Sequence, residues 1–323
     1  MLGPLWPVVL LLSLPAPSLA DVSATADVQD TRTRVSIERL VSRQSQVKSQ
    51  PATGRTVVVT RQGRTATFTA GARTVTITGP SRTFSEPTTP AKVTSSVWVR
   101  LLRTPFSGTI PEAWLSAALA DRSPDVLATA MQYTTAAPTV LDAQGAVVSD
   151  DADYGPLQAD GTREEGSDFN DYLGRTWIYT SGVDEPEADQ IGALDCSGFV
   201  RMVVGYRLGF PLTLNPDGRA LPRRAVQMAA SAPGVAVVPD TGARAANTGA
   251  LRPGDLVFFD VSTNDGRDID HVGIYLGGDS AGAPRFVSSR KTVNGPSMGD
   301  IGGRSTLNGT GIYASGWRSA HRI

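Results

Sequence analysis

One cysteine, Cys196, and two histidines, His271 and His321, are all that the chain carries of either residue. A single thiol excludes an internal disulfide, so stability has to come from buried cores. One Cys with two His also excludes a usual structural zinc site. Charge of one sign is scarce as well: 30 Lys and Arg stand against 31 Asp and Glu, a net of -1. A nucleic-acid binder needs a basic excess, so that partner is set aside for the chain as a whole. Lysine occurs only at Lys48, Lys92 and Lys291, and the remaining cations are Arg. Apolar runs long enough to span a bilayer are missing throughout.

The longest apolar run lies at the amino end. Leu5 to Leu14 form a short core, and Ser18-Leu19-Ala20 is a small-x-small cleavage site. Residues 1–20 therefore read as a secretory signal peptide. The run is too short for an anchor and is interrupted by Pro4, Pro7 and Pro15. The mature protein is expected to begin near Asp21, to have no membrane span, and to be secreted to the cell wall or periplasm.

The length of 323 residues suits two domains. Residues 21 to about 50 are polar, and Val35, Ile37, Leu40 and Val41 fit either one strand or a short helix. Next comes a repeat of nine residues at Arg55-Thr56, Arg64-Thr65 and Arg73-Thr74, each followed by β-branched residues and Thr. That pattern predicts a β-meander, with Val75 and Ile77 inward and Thr74, Thr76 and Thr78 wet. Residues 21–90 hold ten Lys or Arg and five Asp or Glu. Such a balance fits a solvated sheet face or docking to an anionic wall polymer. Two short helices are expected after it. Pro111 lies in the first turn of one, with Trp114, Leu115, Ala118 and Leu119 on its apolar face. The other starts at Ser123-Pro124-Asp125 with Ser123 as its cap. Residues 21–140 are thus read as a β-rich N-terminal domain. Between Asp142 and Asp189 there are thirteen acidic residues against Arg163 and Arg175, and residues 141–168 read as an exposed acidic linker.

Chemistry concentrates in residues 169–323. Cys196, Phe199, Val200, Val203 and Val204 share one helical face. Asp195 is a plausible cap, which puts Cys196 in the first turn, where the helix dipole lowers a thiol's pKa. A buried structural cysteine would fit the same helix. His321 lies close to the carboxyl end, which leaves His271 as the embedded base. It begins Asp270-His271-Val272-Gly273-Ile274-Tyr275-Leu276, an alternating strand in which Gly273 would leave room for a substrate backbone. A helix-start Cys facing a strand His is the layout a thiol hydrolase needs, because the imidazole takes the thiol proton and later protonates the leaving amine.

Three blocks carry a family resemblance: Asp195-Cys196-Ser197-Gly198-Phe199-Val200, Leu251-Arg252-Pro253-Gly254-Asp255-Leu256-Val257-Phe258-Phe259, and His271-Val272-Gly273-Ile274-Tyr275-Leu276. In order and spacing they resemble the signature of the NlpC/P60 cysteine peptidases. The resemblance implies an α+β, papain-like catalytic domain over 169–323, with a Cys-bearing helix packed on an antiparallel sheet bearing the His. It implies hydrolysis of peptidoglycan stem peptides between D-γ-glutamate and a diamino acid, without a cofactor. By the same resemblance Cys196 is the nucleophile and His271 the base, and Asp195 and Ser197 help bind the substrate's free amine. Asp195 is equally suited to capping alone.

Two departures from the family stand out. A Pro-Tyr-x-Trp-Gly-Gly pattern before the cysteine is replaced by Thr176-Trp177-Ile178-Tyr179, which makes Trp177 and Tyr179 the substrate-binding candidates. The residue that orients the histidine, usually a His, is Ser288 in Phe286-Val287-Ser288-Ser289, with Asn294 and Asp300 as alternatives. A Ser hydroxyl accepts a hydrogen bond but brings no charge to imidazolium. The rival readings are a muramoyl–L-alanine amidase of the same fold and a non-catalytic wall-binding protein on a decayed peptidase scaffold.

Overall fold

The nine-residue repeat lies on three neighbouring strands. In the computed structural model, which describes residues 54–323, these are β1 (Thr56–Arg61), β2 (Arg64–Thr69) and β3 (Thr74–Phe84). With β4 (Val93–Leu101) they form an antiparallel sheet in the order β1-β2-β3-β4. Gln62 and Gly63 turn β1 into β2 with φ of 51° and 73°, the left-handed pair that suits the twist of a two-residue hairpin. Ala66, Phe68, Val75 and Ile77 point inward onto Leu115 and Leu119 of the helix Glu112–Ala120. Thr74 departs from the expected wet face: it is buried, because its hydroxyl donates to the Ile323 carbonyl at 2.6 Å. Several of the basic residues here are engaged internally, Arg61 by Glu112 and Arg82 by Asp125. The expected leader and residues 21–53 lie outside the described residues.

The helix Val126–Ala130 is capped by Asp125, in place of Ser123. One Asp125 oxygen accepts from the Ala128 amide at 3.0 Å. The other takes the Arg82 guanidinium and the Val99 amide, so the buried carboxylate is fully partnered.

Two short hairpins follow, β5 (Val140–Leu141) with β6 (Val147–Ser149) and β7 (Trp177–Tyr179) with β8 (Gly182–Asp184). A six-stranded antiparallel sheet comes after them: β9 (Val235–Val238), β10 (Leu256–Phe259), β11 (His271–Gly278), β12 (Pro284–Arg290), β13 (Gly295–Ser297) and β14 (Trp317–Arg322). Their spatial order is β13-β12-β11-β10-β14-β9. Period-two alternation sorts their side chains into two cores. Leu256, Phe258, Val272, Ile274 and Val287 pack with Phe199, Val200 and Val203 of the cysteine segment. Val257, Phe259, Tyr275 and Phe286 pack with Tyr313 and Trp317. The central strand β11 is thus buried on both faces.

The first of these cores also takes Val93 and Val99 of β4 and Leu127 and Ala130 of the helix after it. The described residues, 54–323, accordingly form one compact unit of mixed helix and sheet. The acidic stretch 141–168 is held within it and does not stand free as a connector. Asp142 pairs with Arg175 at 2.9 Å, Asp153 bridges to Ala193, and Tyr154, Ser167 and Asp168 are buried. Some of its acids are met by cations outside 141–168, Glu165 by Lys291 and Asp168 by Arg201 and Arg223. No helix among the described residues is long and apolar enough to cross a membrane.

Candidate active site

Cys196 opens the helix Cys196–Val200, which continues as a π-helical stretch Arg201–Tyr206. Asp195 supplies the cap, its Oδ1 accepting from the Gly198 amide at 2.7 Å and the Ser197 hydroxyl at 3.0 Å. Gly198 is required by packing: a Cβ there would lie 2.1 Å from the Ser167 carbonyl oxygen. The chain at 166–168 is thereby pressed against the helix start, and the Asp195 amide donates to Ser167 at 2.9 Å.

The thiol meets the strand that carries the histidine. Its sulfur lies 3.8 Å from the Asp270 carbonyl oxygen, the main chain just before His271. The His271 ring is buried between Phe259 and Tyr313, with centroids 5.9 and 5.1 Å away. Its Nε2 lies 2.9 Å from the Ser288 hydroxyl, across the β11–β12 pairing. Of the candidates for this third position, Ser288 is the one that reaches the ring. Asn294 instead accepts from the Tyr154 amide at 3.1 Å, and Asp300 pairs with Arg285 at 3.0 Å. Gly273 is smaller than any alternative because of sheet packing: a Cβ would meet Phe286 and the Val287 carbonyl at 2.8 Å.

Electrostatics here differ from the expectation of a lowered thiol pKa. Burial pushes the Cys196 thiol up, and the Asp195 carboxylate beside it pushes the same way. Burial likewise lowers His271 to about 3, and the Arg290 guanidinium adds to this. A short helix dipole is outweighed by desolvation and an adjacent anion. The resting pair is therefore neutral thiol and neutral imidazole. Burial alone would raise Asp195, but the Arg223 guanidinium outweighs it and holds the carboxyl below its ordinary value.

A cleft of about 470 Å³ opens at the helix start. Tyr154, Glu165, Asp195, Cys196, Ser197 and Arg223 line it, together with Asp265, Asp268, Ile269 and Asp270 before β11. Trp177 and Tyr179, expected to bind substrate, do not line it. Trp177 packs edge-on against Phe169 at 4.9 Å, and the Tyr179 hydroxyl accepts from Arg201. Arg201 is itself buried against Asp168 at 2.9 Å. The aromatic that does face the cleft is Tyr154, upstream of Trp177 and Tyr179. Arg223 was missed as well. Its signal was the pair Arg223-Arg224 just before the helix Ala225–Ser231, where the dipole disfavours cations.

Residues 177–294 match the NlpC/P60 family model. Among solved structures the chain is similar to an NLP/P60-family protein of Staphylococcus aureus, described as similar to lipoprotein. The identity is 17%, over 69% of this chain and 50% of that one, with a TM-score of 0.29, so the chain spans half of that protein's length. No curated protein matches. NlpC/P60 proteins are generally cysteine peptidases, and the family acts on peptidoglycan. The C-terminal part of this chain carries an NlpC/P60 domain, matched over residues 177–294.

Proposed function

We propose that the protein is a secreted cell-wall endopeptidase that cleaves peptidoglycan stem peptides between D-γ-glutamate and the diamino acid. The observation that carries this reading is the thiol of Cys196 held 3.8 Å from the carbonyl of Asp270, the residue before His271, while Nε2 of that imidazole is engaged by Ser288. With Nε2–H donating to Ser288, Nδ1 keeps its lone pair and serves as the base. Cys196 Sγ attacks the amide carbonyl as its proton passes to His271. The tetrahedral oxyanion is met by backbone amides at the helix start, including that of Cys196. The C–N bond then breaks, the leaving amine takes the proton from His271, and water hydrolyses the thioester. Because the resting pair is neutral, proton transfer accompanies the attack and no standing thiolate precedes it. The arrangement follows the papain-like order of helix-borne Cys and sheet-borne His, with residues 169–323 as the catalytic part and the β-rich part before them in a positioning role.

The test uses the mature protein and its Cys196→Ala variant, each incubated with an L-Ala–D-γ-Glu–diamino acid peptide and with whole peptidoglycan. Mass spectrometry reads the products. Release of L-Ala–D-Glu by the parent alone supports the reading. Absence of cleavage of both substrates refutes it.

A further inference from the structure

Arg290 is the buried arginine, among the described residues, that no carboxylate holds. Arg100, Arg201, Arg285 and Arg322, the others that are buried, each pair with an aspartate at 2.8–3.1 Å. Arg290 is 2% exposed and meets carbonyls alone. Its Nη1 donates to Gly303 at 2.6 Å, and its Nη2 lies 3.4 and 3.3 Å from the Ser297 and Gly299 oxygens. Its Nε has no partner among the described residues. Two acids of this neighbourhood are committed elsewhere, Glu86 to the Ser297 hydroxyl and the Met298 amide, and Asp300 to Arg285. A guanidinium stays charged when buried, so the fold carries a cation without a counter-ion, which burial by itself strongly disfavours.

That charge stands beside the catalytic imidazole. Arg290 and Ser288 are two residues apart on β12, so both side chains leave one face of the strand, and Ser288 is the residue that bonds His271. The guanidinium carbon lies 5.4 Å from the centre of the Tyr313 ring, and that ring packs against the imidazole at 5.1 Å. The other groups around His271 offer little net charge. Phe259 of β10 is apolar, and burial holds the Tyr313 phenol and the Cys196 thiol in their neutral forms. Asp260 is held by Arg318 at 2.8 Å, and the Asp270 carboxylate accepts from the Val261 and Ser262 amides. Asp195 favours imidazolium, yet Arg223 Nη2 holds it at 2.9 Å and the Gly166 amide at 3.1 Å, while the Gly166 carbonyl accepts from the same guanidinium. Burial apart, Arg290 is the group that opposes protonation of the ring.

We propose that Arg290 is a positioning residue of the hydrolysis: its unpaired charge beside Tyr313 disfavours imidazolium at His271 and keeps the ring a neutral base in mildly acid medium. The same repulsion makes the imidazolium formed during attack a stronger acid toward the leaving amine. Ser288 brings no charge and leaves the repulsion standing, where an anionic partner would offset it. The catalytic role rests on the peptidase reading; the effect of the charge on the ring is measured without turnover.

NMR of the imidazole Cε1–H signals in the full chain, from neutral pH down to the acid transition, tests it. The chain has two histidines, and His271→Gln assigns the signal of His271. Expected is a rise of the His271 midpoint by about half a pH unit or more in Arg290→Gln and Arg290→Met, and a smaller change in Arg290→Lys, which keeps the charge. The acid limb of kcat/KM on a stem peptide should move up with it. A smaller rise in both neutral variants, no visible protonation of His271 in any variant, or an equal rise in Arg290→Lys overturns the inference. If neither neutral variant folds, Arg290 is a structural residue and the inference falls as well. A parent that cleaves nothing while the midpoint moves as expected refutes the peptidase reading and leaves the hold of Arg290 on the imidazole standing.

Discussion

Ser288 stands directly behind His271, its hydroxyl 2.9 Å from Nε2, on the strand that pairs with the histidine's own. Both residues are buried, so the hydroxyl is fixed by the sheet and the imidazole by Phe259 and Tyr313. A neutral partner orients the ring and selects its tautomer without lending charge to imidazolium.

Ser288→Ala removes that orientation and leaves the buried Nε2–H without its partner. A hydrogen bond is worth about 1 kcal/mol net, or about fivefold in rate. We expect kcat/KM to fall about five- to tenfold and, because the buried Nε2–H loses its partner, stability to fall by about 1–3 kcal/mol. Steady-state kinetics on a stem peptide check it, and an unchanged rate removes Ser288 from the site.

The lowered pKa of His271, about 3 against an ordinary 6.5, makes stability depend on acid. Between those values the unfolded chain binds a proton that the folded one refuses, so stability is intact above pH 6.5 and declines as pH falls toward 3. At pH 4.5 the cost is about 2–3 kcal/mol. Urea midpoints of the parent should fall more steeply from pH 7 to 4.5 than those of His271→Gln. The raised thiol acts at the other end: stability is intact below pH 9, the ordinary value, and is lost as pH rises above it. Parallel acid slopes for parent and variant would show that His271 titrates normally.

Asp168→Asn should be costly although it is isosteric. Arg201 is fully buried and bonds Asp168 at 2.9 and 3.0 Å, the Thr213 carbonyl at 2.7 Å and the Leu221 carbonyl at 2.8 Å. Halving the charge pair strands a buried cation, with an expected loss of about 3–5 kcal/mol. Chemical denaturation measures it, and a loss below 1 kcal/mol would mean that the carbonyls alone satisfy the guanidinium.

Gly198→Ala places a methyl 2.1 Å from the Ser167 oxygen. Backbone has to move, at a cost of about 1–3 kcal/mol. The same movement loosens the chain at Gly166, whose amide and carbonyl hold Asp195 and Arg223, so activity should fall more than stability alone accounts for. The comparison needed is kcat/KM well below the melting range; full activity there would separate the helix start from the site.

How far the site was legible depended on how local its parts are. Cys196 with its Asp195 cap, and His271 with alternating Val272, Ile274 and Leu276, are patterns within a few residues, and the structure sets the Cys196 sulfur 3.8 Å from the Asp270 carbonyl just before His271. Ser288 was reachable only through the family resemblance, as the position that matches its orienting His beside Phe286 and Val287. Tyr154 and Arg223 were not, because each enters the cleft from a segment whose own pattern points elsewhere. Tyr154 sits among acids that read as solvated, and its placement is held by Asn294 from the turn after β12. Trp177 and Tyr179 look like the missing aromatics by proximity in the chain, yet Tyr179 bonds the buried Arg201 and Trp177 packs against Phe169 and Tyr206.

Local sequence by itself determined the elements: the Arg-Thr repeat with its hairpin turn at Gln62-Gly63, the Asp195 cap, and the strand at His271. These follow from backbone and side-chain preferences that act over one turn or one pleat. Charge pairing and protonation were decided only by the tertiary structure. Whether Asp195 faces a ligand or Arg223, whether the acidic stretch is solvated or paired, and whether Cys196 is a thiol or a thiolate all depend on groups far apart in the chain brought together out of water. Desolvation and distance set those energies, and both are properties of the packed chain.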